Sequence, residues 1–353
     1  MAQDKDQKNL NVPPLRFTGF TDEWKKTTLG EISKSISSGK SGNPIEDGEY
    51  ELYGSTGIIG RTNSGDYVGE KILVARVGAN AGKINYNNIQ CGITDNTLIV
   101  QPKGISAKYV YYHLIHSNLK RLVFGSGQPL ITGGMLKNLK INIPSSAECE
   151  CIVKFLECID SRIATQNKII DNLQSLIKGL AKALTNQEEP NTRISDCLEC
   201  HTSTLQESTL NENGLYPVYG ASGIAGYLND YRCDEDSILI IKDGSGAGTV
   251  SYATGIYSVI GTLNYLTTMV DYSLKYLYFC LMGFNFEPFK IGMAIPHIYF
   301  KDYGKAKIYC PTIEEQKRIA ITLTAIENKL KIELKLLNIL HMRKQHLLYR
   351  MFI

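Results

Sequence analysis

Apolar positions along the chain follow two regimes, and each regime occurs twice. After Pro144 the apolar residues are Ile152, Leu156, Ile159, Ile163, Ile170, Leu173, Ile177, Leu180 and Leu184. Their spacing alternates between four and three once Gln166 fills one place. After Pro311 the series is Ile319, Leu323, Ile326, Leu330, Leu337, Leu340, Leu347 and Met351, with Glu333 and Lys344 completing the register. A period of 3.5 residues predicts coiled-coil helices of about five heptads, or ~50 Å at ~1.5 Å per residue. A seam this narrow differs from the broader stripe of a helix lying on its own core. Two such seams are natural partners for each other, paired antiparallel. The equivalent polar positions Gln166 and Glu333 are placed to fix register. Ile169, Leu176 and Leu336 lie off the seam and are available to a further protein.

Before each helix comes a segment rich in Gly, Tyr and β-branched residues. Strand-like runs, Lys71–Arg76 and Ser237–Lys242, each lead into a Gly-rich turn. Tyrosine-rich stretches near 109–122 and 272–284 predict helices. Short strands follow at Leu139–Ile143 and Ala306–Tyr309. The two segments are copies: Tyr50–Gly60 matches Tyr216–Gly226 at a shift of 166 residues, and Tyr109–Leu114 matches Tyr276–Leu281 at 167. A near-constant shift of that size marks a duplicated domain, since solenoid repeats are far shorter. The expected layout is a tail over 1–15, a globular domain over 16–145 and a helix over 146–185. A linker at 186–192, a second domain over 193–311 and a second helix over 312–353 complete it. The fold class is α+β: two similar globular α/β domains in tandem, each followed by a long helix, with the helices paired as an antiparallel coiled coil and pseudo-two-fold symmetry.

Composition adds mainly exclusions. In 353 residues, 43% are hydrophobic and 21% charged, the balance of a globular protein. No apolar stretch reaches the ~18 residues of a membrane span. The polar N-terminus has no apolar signal core, and nine unpatterned cysteines fit a reduced, cytoplasmic setting. The net charge of +3 is uneven: +5 over 16–145, −2 over 146–191, −4 over 192–311 and +4 over 312–353. Bulk charge alone therefore does not announce a nucleic-acid partner.

Several motifs fail on inspection. Cys197-Leu-Glu-Cys200-His201 fits a haem-attachment pattern but lacks an export signal, and Cys149 and Cys151 are wrongly spaced to complete a zinc site. Gly39-Lys40-Ser41 has Lys34 where a phosphate loop needs glycine. Gly78–Lys83 and Gly244–Gly248 miss the nucleotide-binding spacings. The six histidines share no motif, and no catalytic set or metal set is expected.

The layout resembles the specificity subunit of Type I DNA restriction–modification enzymes over residues ~15 to 353. The carriers are Leu15-Arg16-Phe17-Thr18-Gly19-Phe20, Trp24, Leu29-Gly30-Glu31, Tyr53-Gly54, Gly57–Gly60, Ile72–Gly78 and Ile141–Pro144 running into the helix. The second half repeats most of them, but it is acidic, starts Cys-Leu-Glu-Cys-His and lacks the Leu-Gly-Glu opening. The resemblance implies that the globular segments are target recognition domains, each reading half of a split, asymmetric DNA site. It implies that the helices set the gap and dock two methyltransferase subunits. S-adenosylmethionine would then sit on those partners, and ATP and Mg on restriction subunits that join the complex; this chain would bind no cofactor and be non-catalytic by itself.

Base reading needs hydrogen-bonding side chains on loops entering the major groove, and phosphate contacts need cations. The polar, Gly-containing turns offer Lys40, Ser41, Asn43, Arg61, Arg76, Asn80 and Lys83 in the first domain. The second offers Tyr227, Asn229, Lys242, Ser245, Lys290, His297 and Lys301. The alternative is a coiled-coil scaffold joining two protein- or glycan-binding modules; steep salt dependence of DNA affinity would separate the two. An enzyme with an unfamiliar site would instead show activity from this chain alone.

Overall fold

The computed structural model describes residues 11–125, 127–292 and 294–353. It divides into two compact units, Met1–Thr165 with Leu337–Ile353, and Gln166–Leu336. Each unit thus holds one globular domain and a stretch of both long helices, a different partition from one domain plus its own helix.

The domains share one topology. In the first unit a four-stranded antiparallel sheet has the order Ser33–Ser38, Thr97–Pro102, Lys71–Ala75, Ile84–Asn87. In the second the order is Leu198–Thr202, Leu263–Thr268, Ser237–Ile241, Val250–Ala253. Lys71–Ala75 and Ser237–Ile241 are buried along their whole length, as inner strands covered on both faces must be. Each domain adds a three-stranded sheet whose hairpin, Tyr50–Gly54 with Gly57–Thr62 or Tyr216–Gly220 with Gly223–Leu228, carries a bulge at the same place. The tyrosine-rich helices Ala107–His116 and Leu274–Gly283 cover the large sheets, each N-capped by a serine.

The missing Leu-Gly-Glu opening is present in backbone form. Leu29 and Gly30 donate to the carbonyls of Leu139 and Lys137, and Ile194 and Ser195 donate to those of Ala306 and Gly304. Ile194-Ser195-Asp196 therefore occupies the place of Leu29-Gly30-Glu31, with Leu29 and Ile194 equally buried.

The long helices run Ser146–Thr185 and Ile313–Met351. At 40 and 39 residues they span ~60 Å each. Ser145 and Thr312, each directly after a proline, cap them by accepting from the amides of Glu148 and Glu315. The seam residues are buried or half-buried, and the pairing is antiparallel within each unit. In the second unit Ile177 and Ala181 share a core with Ile319 and Leu323. There Gln166 Nε2 donates to Glu333 Oε2 at 2.5 Å and to its carbonyl at 3.1 Å. In the first unit Ile152 and Leu156 pack with Leu348, Met351 and Phe352, and Lys344 pairs with Asp160.

Residues 347–353 help complete the first domain's core. The Phe352 ring lies 6.4 Å from Trp24, 5.5 Å from Tyr109 and 5.8 Å from His116. The Ile353 carbonyl accepts from Asn142 Nδ2 at 2.7 Å. The expected tail over 1–15 is corrected in part. Residues 1–10 lie outside the described residues, but Asn11 bonds Trp24 and Asn142, Pro13 is buried, and the Leu15 amide donates to the Arg350 carbonyl. Arg16 makes a two-pronged contact, 2.8 and 2.7 Å, with the buried carboxylate of Glu148.

Candidate nucleic-acid interface

In the first unit three chain segments converge at one end of the central strand. The turn after Lys71–Ala75 closes on itself through Ala81 N to Gly78 O, Gly82 N to Ala75 O and Lys83 N to Asn80 O. Gly78 and Gly82 have φ of +79° and +82°. A Cβ on Gly82 would also stand 3.1 Å from the backbone of Leu119 and Lys120, so only glycine lets the two segments meet. A hairpin, bridged between Phe124 and Leu130, lies against this turn. Its contacts are Gly78 N to Pro129 O and a bridge between Val77 and Leu130. The third segment is the loop at Gly39–Ser41, whose Gly39 amide donates to Thr97 O while the Arg76 amide donates to Asn96 O.

The result is a stiff platform with exposed donors. The exposed Lys40 and Lys83 have no side-chain partner among the described residues, and neither have the half-buried Arg76 and Asn80. The turn Leu119–Leu122 adds Lys120 and Arg121, and the hairpin adds Gln128 and a Phe124 that is 51% exposed. Sequence reasoning missed these four, although the basic pair Lys120-Arg121 and the turn signal Gly125-Ser-Gly127 beside Phe124 and Gln128 were there to be read. Two expected residues are engaged by the fold. Ser41 Oγ accepts the Ile93 amide at 2.9 Å. Arg61 donates to the carbonyls of Gly48 and Glu49 at 2.6 and 2.7 Å, at the other sheet. Asn43 is exposed in the loop between the two.

The second unit rebuilds the platform with different side chains. Lys242 donates its amide to Thr262 O, Gly244 to Pro296 O and Gly248 to Ile241 O. Gly244 and Gly248 have φ of +96° and +90°, and a Cβ on Gly248 would lie 2.8 Å from that of Phe286. The hairpin is bridged between Ile291 and His297, and Asp243 pairs with His297 as Val77 does with Leu130. His297 Nδ1 lies 2.7 Å from Asp243 Oδ1. Ser245 is exposed at the turn, while Lys290 is held by Glu287 at 2.6 Å. Ile291 and Ile295 are 55% and 59% exposed. Lys301 is exposed, its Nζ 5.3 Å from the ring centre of Tyr299. Tyr227 and Asn229 lie at the end of the other sheet's hairpin, Tyr227 bridged to Asn211, and among the described residues share no hydrogen bond with the platform.

The cysteine motif is structural. Cys197 is buried, its thiol directed to the Ile194 carbonyl, and burial pushes the Cys200 thiol up to about 11. His201 stacks on Tyr265 with ring centres 4.9 Å apart. Burial pushes the Cys149 thiol up to about 12. Among the described residues no three His, Cys, Asp or Glu side chains form a group able to hold a metal ion. No helix among them is long and apolar enough to cross a membrane.

A second kind of surface lies along the helices. Off the seam, Ile169, Leu176, Ile321, Ile332 and Leu336 are exposed in the second unit, and Phe155, Ile339, Met342 and Tyr349 in the first. Exposed apolar side chains of this kind are what a protein partner can cover.

Comparison with known proteins bears on all of this. The family model described as "Type I restriction modification DNA specificity domain" matches twice, over residues 21–175 and 191–341. The specificity subunit of the Type I restriction enzyme EcoprrI of Escherichia coli is 31% identical over 155 residues, 42% of this chain and 38% of that protein. The MjaVIII specificity subunit of Methanocaldococcus jannaschii is 25% identical over 397 aligned positions, 94% of this chain and 90% of that one. Among solved structures, the Type I S subunit from M. genitalium has the same fold, with a TM-score of 0.67 at 18% identity over 97% of this chain and 99% of that one. A chain from work on complex assembly and conformational transition of the type I R-M system aligns with a TM-score of 0.56 at 13% identity, over 93% of this chain and 97% of that one.

Proposed function

From the premise that this chain belongs to the Type I restriction–modification DNA specificity family, we propose that it is the non-catalytic recognition subunit of such a complex in the cytoplasm. It reads a bipartite, asymmetric DNA site, one domain per half. The observation that carries this reading is the doubled platform: one backbone frame, built twice by the same hydrogen bonds, presenting different side chains.

Lys40, Arg76, Lys83, Lys120 and Arg121 are suited to phosphates, which supply affinity and salt dependence without sequence information. Asn80 and Gln128 in the first domain, and Ser245 and His297 in the second, carry the hydrogen-bonding groups that base edges require. Asn43, Lys242, Lys290, Lys301, Tyr227 and Asn229 are secondary candidates for the DNA backbone. The helices act as a ruler. Points on one face of B-DNA recur every ~34–36 Å, within reach of a ~60 Å helix. Their exposed apolar faces dock two methyltransferase subunits, which carry S-adenosylmethionine and modify adenine, and through them the restriction subunits that use ATP and Mg. This chain needs no cofactor of its own.

The test is methylation mapping. The chain is expressed with its neighbouring methyltransferase subunit in a host lacking adenine methylation, and the DNA is sequenced for N6-methyladenine. A split motif of fixed gap that disappears without this chain is the expected result. A stable complex with an active methyltransferase and no motif would reject the reading in favour of a scaffold.

A further inference from the structure

Building on that reading, we propose that Asp243 and His297 form a specificity-determining pair, reading one base pair of the half-site assigned to the second domain. The two domains make the same antiparallel bridge at this point, between Val77 and Leu130 in one and between Asp243 and His297 in the other. The flanking backbone bonds are also shared: Gly78 N to Pro129 O and Gly244 N to Pro296 O, both at 2.9 Å. An apolar pair is therefore sufficient to build this frame, and the fold does not require a charged one. What the charged pair adds is directed hydrogen bonding at the surface of the platform.

The local geometry suits that use. The two side chains lie 2.7 Å apart and remain 38% and 33% exposed, His297 and Asp243 respectively. Among the described residues neither bonds any other side chain. The His297 ring is backed by Gly292, where a Cβ would meet it at 3.5 Å, and Gly292 holds the left-handed φ of +94° that turns the hairpin. With Nδ1 engaged by the carboxylate, Nε2 is left unpaired among the described residues and held in a fixed direction, where a neutral imidazole offers an acceptor. Such an acceptor matches the exocyclic amino group of adenine or cytosine in the major groove. Ile291 and Ile295 flank it on the same hairpin and offer apolar contact to a neighbouring thymine methyl group.

The first domain supplies its own control, because Asp243→Val and His297→Leu install the residues its matching bridge carries. The complex is assembled with wild-type chain, each single variant and the double variant, and each methylome is sequenced. The wild-type motif is read first; its absence would refute the functional reading rather than this pair. Expected from the double variant is discrimination reduced about ten-fold or more at one base pair of one half-site. The other half-site and the gap stay as in wild type. Each single variant gives most of that loss, because the pair acts as a unit. An unchanged motif at normal methylation overturns the proposal. If the double variant abolishes methylation altogether, Asp243→Asn and His297→Gln decide: relaxation at one position supports the pair, and an unaltered motif shows it to be structural.

Discussion

The two platforms invite a position-by-position comparison. Where the first has Lys120-Arg121 beside its glycine turn, the second has Glu287-Pro288; where the first has Lys83, the second has Thr249. One central strand starts with a fully buried Lys71, whose ammonium donates to the carbonyls of Gly69 and Ile89 at 2.8 and 2.7 Å. The other starts with Ser237, bonded to Tyr257. Yet the strand order, hairpin bulge, bridges and turn bonds coincide. Backbone hydrogen bonds and a few glycines hold the frame, which leaves most side chains on it free to differ. A duplicated domain on these terms can divide its work, with charge concentrated on one copy and pairing chemistry on the other.

The largest expected effect tests that division of charge. Replacing Arg76, Lys83, Lys120 and Arg121 with Gln in the assembled complex should weaken DNA binding by orders of magnitude. The slope of log affinity against log salt should flatten by up to ~0.9 for each phosphate that is no longer neutralised. Lys242→Gln with Lys290→Gln should cost far less, since Lys290 is already paired with Glu287. Equal losses in titrations at several salt concentrations would break the comparison.

Next comes the frame itself. Gly82→Ala and Gly248→Ala each force a side chain into a left-handed turn and against Leu119–Lys120 or Phe286. Each should cost about 1–3 kcal/mol, seen as a lower Tm. Gly179→Ala, in open space on the first long helix, should raise stability by about 0.5–1 kcal/mol. Equal tolerance at all three sites would mean that the turns are not rigid.

A smaller effect separates the domains by pH. Burial, aided by His116, pushes the His113 imidazole down to about 4, and its counterpart in the second domain is Cys280. A folded-state value below the unfolded ~6.5 means that the unfolded state takes up the proton first. The stability contribution is complete above pH 6.5 and is lost as pH falls towards 4. At pH 5.5 the first unit should have lost on the order of 1 kcal/mol. Hydrogen exchange followed by mass spectrometry would show it in peptides of that domain, and His113→Cys should remove it. The same loss in both domains would place the acid sensitivity elsewhere.

The least effect is expected at the seam. Gln166→Leu takes away one of the two partners of the Glu333 carboxylate, which the Lys329 ammonium and the Gln166 amide together hold below the usual carboxylate range. That single change should destabilise, whereas Gln166→Leu with Glu333→Leu should restore or exceed the starting Tm. A double variant less stable than the single one would give the polar pair a net stabilising role.

Much of the architecture was legible because its causes are local. The seam follows from apolar spacing, and the repeats from glycine, tyrosine and proline placed at constant shift. The long-range backbone pairings were hidden. Ile194-Ser195-Asp196 does not look like Leu29-Gly30-Glu31 until their amides are seen to find equivalent carbonyls. Arg61 reads as a free cation, but its guanidinium is spent on the Gly48 and Glu49 carbonyls. Gln128 and Phe124 escaped notice because the hairpin meets the glycine turn only in three dimensions, about 50 residues along the chain.

The docking of Phe352 and Ile353 beside Trp24 and Tyr109 also bears on how the protein is made. The first domain emerges from the ribosome early, yet part of its apolar surface is covered by residues about 200 positions further on. At ~5–20 residues per second that surface waits ~10–40 s for its lid. Meanwhile the second domain is synthesised and can fold. An N-terminal half released by truncation would keep this face open to chaperones and proteases, because Phe352 and its neighbours would not be there to cover it.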